Sequence, residues 1–460
     1  MSTDDIVYIL VLVTSIPLGL YIRQTKEAKV KQKLCSIVGF VLVLLTCRLH
    51  ALHSLITTVV NCIIVKYFDI RYCHWVSFAW CFGYLLGFRT IHLLGIPSAP
   101  PLANAVQLLL TLKMVMVAFE VHESQFPLKE RRYEHMDGER LKYLQEKYVA
   151  VAPSFQDIFL YAYCYIGMFT GPFYRYRTYV DMLNQDCNVI PWKEHAWNRL
   201  RYIPVLVTIL LVVSHYFKKE YTQTDEFLDE PFWFRVFYIV PMFMVFRTRL
   251  YTAFLLSECM CMTAGLGGYP VVSKPKCGQG PTDLQALDDI LKKKPSEIEY
   301  NFDTVYNLNI YGCELAPTSR EGLKSWNMTI QSWLAHCVYK RFPIRSLGST
   351  VTMTVSAFWH GIHPGYYLSF LTCVPILIAE DIWIDLYYKN ASPGQQKLFN
   401  WVCWFFKMRF FDYMCMGFIL LSWKATMHYW SSIYFLIHFI IAAFLVTGLI
   451  LKSSRHKKTA

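Results

Sequence analysis

The chain has 460 residues, of which 55% are hydrophobic and 17% charged, against about 25% charged in an ordinary soluble domain. Forty-five Lys and Arg against 33 Asp and Glu leave a net charge of +12. Because apolar runs recur from end to end, this composition excludes a disordered chain, collagen, a coiled coil and a basic nucleic-acid-binding domain. It predicts an all-α polytopic membrane protein.

The first apolar run covers 6–22. Asp4 and Asp5 precede it where a signal peptide would be basic, and it lacks a small-residue cleavage site, so it reads as a retained span. Arg23, Lys26, Lys29, Lys31 and Lys33 follow, a cluster expected to face anionic headgroups in the cytosol. Further runs fall near 34–47, 51–66, 75–94 and 103–119. A polar segment at 120–153 then interrupts the pattern, and runs resume near 154–171, 202–217, 232–247 and 249–266. A second polar segment, 267–322, begins rich in Gly and Pro. The last runs lie near 347–360, 365–388, 399–422 and 429–451. About eleven spanning helices are expected, some tilted or re-entrant. The membrane domain is placed at 1–451 with extramembrane loops near 120–153 and 267–322, and 452–460 is a basic tail expected in the cytosol. Its closing Lys457-Lys458-Thr459-Ala460 fits either a dilysine retrieval signal or an ordinary positive-inside tail. The chain has fifteen cysteines, most of them in the apolar runs and none with CxxC spacing, and they read as small buried hydrophobes.

Two segments carry candidate chemistry. Placed on one helix, 321–338 puts Asn327 on a face shared with Leu323, Ile330 and Leu334, where an unpartnered amide costs a few kcal/mol. The amide reads either as a structural bond to a neighbouring helix or as a functional group. Further on, Trp359-His360 ends an apolar run that Gly361 and Pro364 interrupt. A histidine at membrane depth serves either a proton transfer or a structural hydrogen bond. His360 and His363 stand three apart, but the broken helix and the lack of a nearby carboxylate argue against a metal; none is expected. Glu258 reads as the partner of Arg247 or Arg249. Arg175 and Arg177 suit a phosphate, or a positive-inside loop. Asn327-Met-Thr329 and Asn390-Ala-Ser392 are glycosylation sequons, and Asn390 is the better candidate if its turn is lumenal. There is no nucleophile elbow, Walker loop, His-x4-Asp or Asp-His-His-Cys motif.

Trp326-Asn327 and Trp359-His360-Gly361, a few tens of residues apart, resemble the paired motifs of the membrane-bound O-acyltransferase (MBOAT) family. The stretches 104–113, 163–167, 170–179, 363–367 and 412–417 resemble its lysophospholipid branch, and the resemblance covers about 1–450. It implies an MBOAT-type bundle of about eleven transmembrane helices around a central reaction tunnel in the endoplasmic reticulum membrane. It also implies transfer of a fatty acyl group, arachidonoyl above others, from acyl-CoA to the sn-2 hydroxyl of a lysophospholipid, with lysophosphatidylinositol the favoured acceptor. Within that resemblance His360 and Asn327 are the catalytic candidates, and Trp326, Trp359, Arg175 and Arg177 the substrate-binding ones. Acyl-CoA is a co-substrate and no cofactor is expected; membrane lipids are partners, nucleic acid is not, and no obligate protein partner is evident. The rival readings are another acceptor, such as lysophosphatidylcholine or lysophosphatidylserine, and a multi-span transporter, against which stands the lack of an inverted repeat.

Overall fold

The computed structural model describes residues 3–95, 97–126, 136–389 and 391–459; side chains are described from Asp5 to Arg455. In chain order the helices are α1 (Thr3–Gln24), α2 (Ala28–Cys47), α3 (Ala51–Tyr67), α4 (Cys73–Thr90) and α5 (Pro101–Glu123). Then come α6 (Gly138–Tyr148), α7 (Phe155–Ala162), α8 (Tyr176–Asn184), α9 (Lys193–Leu200) and α10 (Ile203–Tyr216). The middle of the chain forms α11 (Asp225–Asp229), α12 (Phe232–Phe237), α13 (Ile239–Ala264), α14 (Leu284–Ile290), α15 (Ile310–Leu315) and α16 (Ser319–Lys324). The last are α17 (Met328–Cys337), α18 (Gly348–His360), α19 (Pro364–Trp383), α20 (Pro393–Leu420), α21 (Trp423–Ser432) and α22 (Leu436–Thr459). Two two-residue strands, Tyr269–Pro270 and Tyr300–Asn301, pair antiparallel.

Among the described residues, seven helical stretches are long and apolar enough to cross a membrane: Asp5–Gln24, Ala28–Tyr67, Pro101–Glu123, Lys193–Gln223, Phe232–Ala264, Pro364–Tyr388 and Leu436–Arg455. The runs at 232–247 and 249–266 merge into the single stretch Phe232–Ala264, because Arg247, Thr248 and Arg249 stay inside α13. The run at 154–171 is not a span. It yields the eight-residue α7, then irregular buried backbone in which Gly167 and Gly171 take positive φ.

The chain divides into two compact units. The first comprises 1–203, 253–307 and 327–337. Its central helix α5 is mostly apolar and buried along most of its length, Gln107, Thr111, Lys113 and Glu120 included. Small polar groups tie the helices together: Asn61 donates to the Met114 carbonyl at 3.1 Å, Ser77 donates to Asn61, and Gln107 donates to Thr57 at 2.7 Å. Non-helical backbone at membrane depth survives only where protein covers it. That cover comes from α2, where Gly39 leaves room for the Tyr163 carbonyl and the Cys35 carbonyl accepts the Tyr165 amide at 3.1 Å. Lys113 on α5 donates to the carbonyls of Tyr161 and Cys164 at 3.3 and 3.4 Å.

Two of the five cations at 23–33 do not face headgroups. Arg23 is 5% exposed, and its guanidinium donates to the carbonyls of Thr263 and Met262, both at 3.0 Å, capping the end of α13, and to those of Ile190 and Cys187. Lys31 is equally buried and donates to the Met182 carbonyl at 3.1 Å. Helix C-termini and turns leave carbonyls unpaired, and buried cations satisfy them.

Part of the polar segment 120–153 and part of 267–322 bind each other. Asp288, its side chain fully buried, receives Arg140 at 2.6 Å, Lys147 at 2.9 Å, Tyr148 at 2.8 Å, Tyr143 at 3.1 Å and Lys292 at 3.1 Å. These donors hold the Asp288 carboxyl well below the usual carboxylate range even though burial opposes it, and burial together with Asp288 pushes the Tyr148 phenol up to about 12.

The second unit comprises 204–252, 308–326 and 338–460. Its core gathers Tyr238, Met242, Ile376, Tyr413, Met416, Tyr429 and Trp430. Fifteen free thiols run through both units, and of these Cys277 and Cys403 alone are not fully buried.

Candidate functional site

Asn327 does not sit within a helix. The segment 321–338 breaks: α16 ends at Lys324, α17 starts at Met328, and Asn327 occupies the break at φ +47°. Asparagine is among the few residues that take this left-handed conformation readily. The shared face with Leu323 is therefore lost, and Asn327 instead leads α17, its carbonyl accepting the amides of Ile330 and Gln331 at 3.1 Å.

The residues after it are held from Asn307. The Asn307 carbonyl accepts the Met328 amide at 2.9 Å. The Asn307 carboxamide oxygen takes the amide and hydroxyl of Thr329, whose Oγ1 in turn accepts the Phe173 amide at 3.0 Å. The Asn307 amide donates to Glu258 at 2.6 Å, and Glu258 pairs with Arg199 at 3.0 Å. Arg247 and Arg249 are thus not the partners of Glu258. They lie eleven and nine residues away on the same helix, roughly 14–16 Å along its axis, and Arg247 pairs with Glu314 at 3.4 Å. No sequence pattern singled out Asn307; its fully buried side chain is visible only in the fold.

Arg175 and Arg177 differ. Arg177 is engaged by Asp181, Nη2 to Oδ1 at 2.7 Å. Arg175 lies 3.4 Å from His336 Nδ1, and His336 Nε2 lies 2.8 Å from Glu123. Glu120, one turn before Glu123, accepts the amides of Tyr176 and Arg177 at 2.8 and 3.0 Å. The stretch that carries both arginines is therefore anchored to the end of α5.

In the second unit α18 ends at His360 and α19 begins at Pro364, with Gly361 between; a Cβ at 361 would strike the Tyr366 ring. The half-buried imidazole sits in an aromatic cage. Trp359 lies 4.7 Å away edge-on, Phe370 5.3 Å stacked, Phe418 5.3 Å edge-on and Tyr366 5.9 Å tilted. These rings give the imidazole a largely aromatic surrounding. Trp326, of the same unit, stacks on Phe246 at 6.3 Å and 4° and packs against Tyr251 at 5.4 Å. Asn327 thus leads α17 in the first unit, and His360 closes α18 in the second.

Residues 8–423 match the family model of the membrane-bound O-acyltransferase family. The chain belongs to this family. It is 42% identical to a membrane-bound acylglycerophosphatidylinositol O-acyltransferase of Xenopus laevis, covering 100% of this chain and 96% of that protein. The protein of that name from Homo sapiens is 42% identical over 98% of this chain and 95% of its own length. The one from Drosophila melanogaster is 32% identical over 99% of this chain and 94% of its own length. The chain is accordingly a multi-pass, membrane-bound MBOAT acyltransferase. Asn390 lies outside the described residues.

Proposed function

We propose that this MBOAT protein is an acyl-CoA-dependent lysophospholipid O-acyltransferase whose acceptor is the sn-2 hydroxyl of lysophosphatidylinositol. The observation that carries the reading is similarity over the whole chain to proteins named for acylglycerophosphatidylinositol acylation. Arachidonoyl-CoA is the donor we favour. We place the enzyme in the endoplasmic reticulum membrane with its basic tail in the cytosol. Seven long apolar stretches support a multi-pass protein; we expect shorter tilted or re-entrant helices to bring the count to about eleven spans around a reaction tunnel.

In this mechanism the neutral imidazole of His360 takes the proton of the sn-2 hydroxyl as its oxygen attacks the thioester carbonyl. General-base help of this kind is worth roughly 10²–10⁴ in rate. The Asn327 carboxamide orients the acceptor or donates to the developing oxyanion, an effect of roughly 10²–10³. The C–S bond then breaks, CoA leaves as thiolate, and the new C–O bond completes the ester. The aromatic walls around His360 limit competing hydrolysis. Trp326 and Trp359 line the approach. Arg175 offers charge to a phosphate, whereas Arg177 already spends its charge on Asp181.

The test is CoA release by purified protein given arachidonoyl-CoA and competing lysophospholipids. Preference for lysophosphatidylinositol supports the reading. Preference for lysophosphatidylcholine or lysophosphatidylserine overturns the acceptor, and solute uptake into proteoliposomes without CoA release overturns the enzyme.

A further inference from the structure

Within the second unit, α19, α20 and α22 border a cavity of about 610 Å³, inside the roughly 300–1,000 Å³ range of small-molecule sites. Its walls are hydrocarbon and aromatic, including Ile376, Trp383, Phe399, Phe406, Phe410 and Phe444. The two charged side chains on its wall are occupied. Glu380 accepts the amides of Ser319 and Arg320 at 2.6 and 3.1 Å, and Lys407 donates to the carbonyls of Cys313, Glu314 and Ala316 at 2.9, 3.3 and 2.8 Å. The interior therefore suits an apolar chain rather than a polar metabolite.

The charge at one end gives an independent observation. The cavity reaches Tyr387, Ala391 and Gln395, where the candidate span Pro364–Tyr388 ends. Lys389 and Lys452 share Asp385 there, at 2.6 and 3.4 Å, and Arg455 donates to the Leu386 carbonyl at 3.3 Å. Lys397, beside the lining residue Leu398, is exposed. Lys389, Lys452 and Arg455 thus gather at Asp385 and Leu386, with exposed Lys397 in the first turns of α20, at the end of a candidate span, and basic pockets between membrane helices bind anionic lipid heads. The cavity is apart from the candidate base. His360 contacts Phe370, ten residues and about 15 Å along α19 from Glu380.

We propose that this cavity is a binding site for an anionic phospholipid of the surrounding bilayer. One acyl chain lies between α19, α20 and α22, and the phosphate lies among Lys389, Lys397, Lys452 and Arg455. The lipid is a bound stabiliser of this unit, not a reactant.

The probe is phosphatidylserine, which is neither the proposed acceptor nor its product. The full chain is reconstituted in phosphatidylcholine nanodiscs with and without it, and retained lipid is read by native mass spectrometry after detergent extraction. The wild type is expected to keep one phosphatidylserine in preference to phosphatidylcholine and to melt higher with it. Ala379→Trp, which fills the cavity, and the exposed triple change Lys389→Gln, Lys397→Gln and Lys452→Gln are each expected to lower retention by roughly tenfold. Both should leave acyl transfer in pure phosphatidylcholine within about twofold of wild type. Equal retention by wild type and the triple variant overturns the proposal, as does equal retention of the two lipids. Lost acyl transfer in Ala379→Trp with lipid retention unchanged also overturns it, by making the cavity part of the donor's path.

Discussion

One carboxamide oxygen of Asn307 accepts both hydrogen-bond donors of Thr329, the backbone amide at 3.1 Å and the hydroxyl at 2.6 Å. With the Met328 amide on the Asn307 carbonyl, three bonds from one buried residue fix the two positions that follow Asn327. Thr329→Val removes the hydroxyl's bond to Asn307 and the acceptor of the Phe173 amide, a loss of about 1–3 kcal/mol for each buried group left short of a partner. The expected result is a lower melting temperature and a fall in kcat of roughly tenfold, since misplaced catalytic groups lose rate steeply. Thr329→Ser keeps the hydroxyl and should restore both. Unchanged kcat in the valine variant would remove Asn307 and Thr329 from the positioning of Asn327.

His360→Ala is expected to abolish acyl transfer while expression, detergent extraction and melting temperature stay near wild type. Asn327→Ala should lower transfer severely, by roughly 10²–10³, with acyl-CoA still bound. Radiolabelled acyl transfer by purified variants checks both, and full activity of His360→Ala would refute its role as base.

The Asp288 clamp predicts a pH dependence with a definite sign. Its carboxyl titrates lower in the folded protein than in the unfolded chain, so its contribution is present above the unfolded value of about 4. That contribution is lost as pH falls below this value toward the folded one. Amide exchange in Gly138–Tyr148, corrected for intrinsic rates, should stay flat from pH 8 to about pH 5 and accelerate only in stronger acid. Asp288→Asn should accelerate it already at neutral pH, by the equivalent of about 1–2 kcal/mol, because its cationic partners remain partly solvated.

Gly39→Ala tests how the irregular segment after α7 is held. A methyl group there meets the Tyr163 carbonyl, which is rigid backbone and cannot swing away. Overpacking of this kind costs about 1–3 kcal/mol. The expected readout is a lower melting temperature by fluorescence-detected size exclusion, whereas Gly83→Ala, where nothing lies within 4 Å, should be neutral.

The long apolar runs were legible in the sequence because a span is written as one continuous signal, and α5 and α19 follow their runs closely, whereas the run at 429–451 divides between the end of α21 and most of α22. The end of α18 at His360 was legible too, since Gly361 and Pro364 mark it locally. Other features depend on contacts far apart in the chain. Hydrophobicity made 154–171 look like a span, but Gly167 and Gly171 turn it back against α2. Periodicity drew 321–338 as one helix, yet Asn307 captures the amides that would have continued it through Asn327. Charge clustering assigned Arg23 and Lys31 to headgroups, although both cap buried carbonyls. Glu258 found Arg199 rather than a neighbour on its own helix for the same reason.

The brevity of α18 has a consequence for how thick a bilayer this enzyme tolerates. Thirteen residues rise about 20 Å, while the hydrocarbon layer measures about 30 Å. On the membrane placement proposed above, a helix of this length entering at Lys340, Arg341 and Arg345, which precede it, stops inside the slab, with His360 at its tip. The partition between esterification and wasteful thioester loss should therefore shift toward loss as shorter-chain lipids bring bulk water closer to that tip.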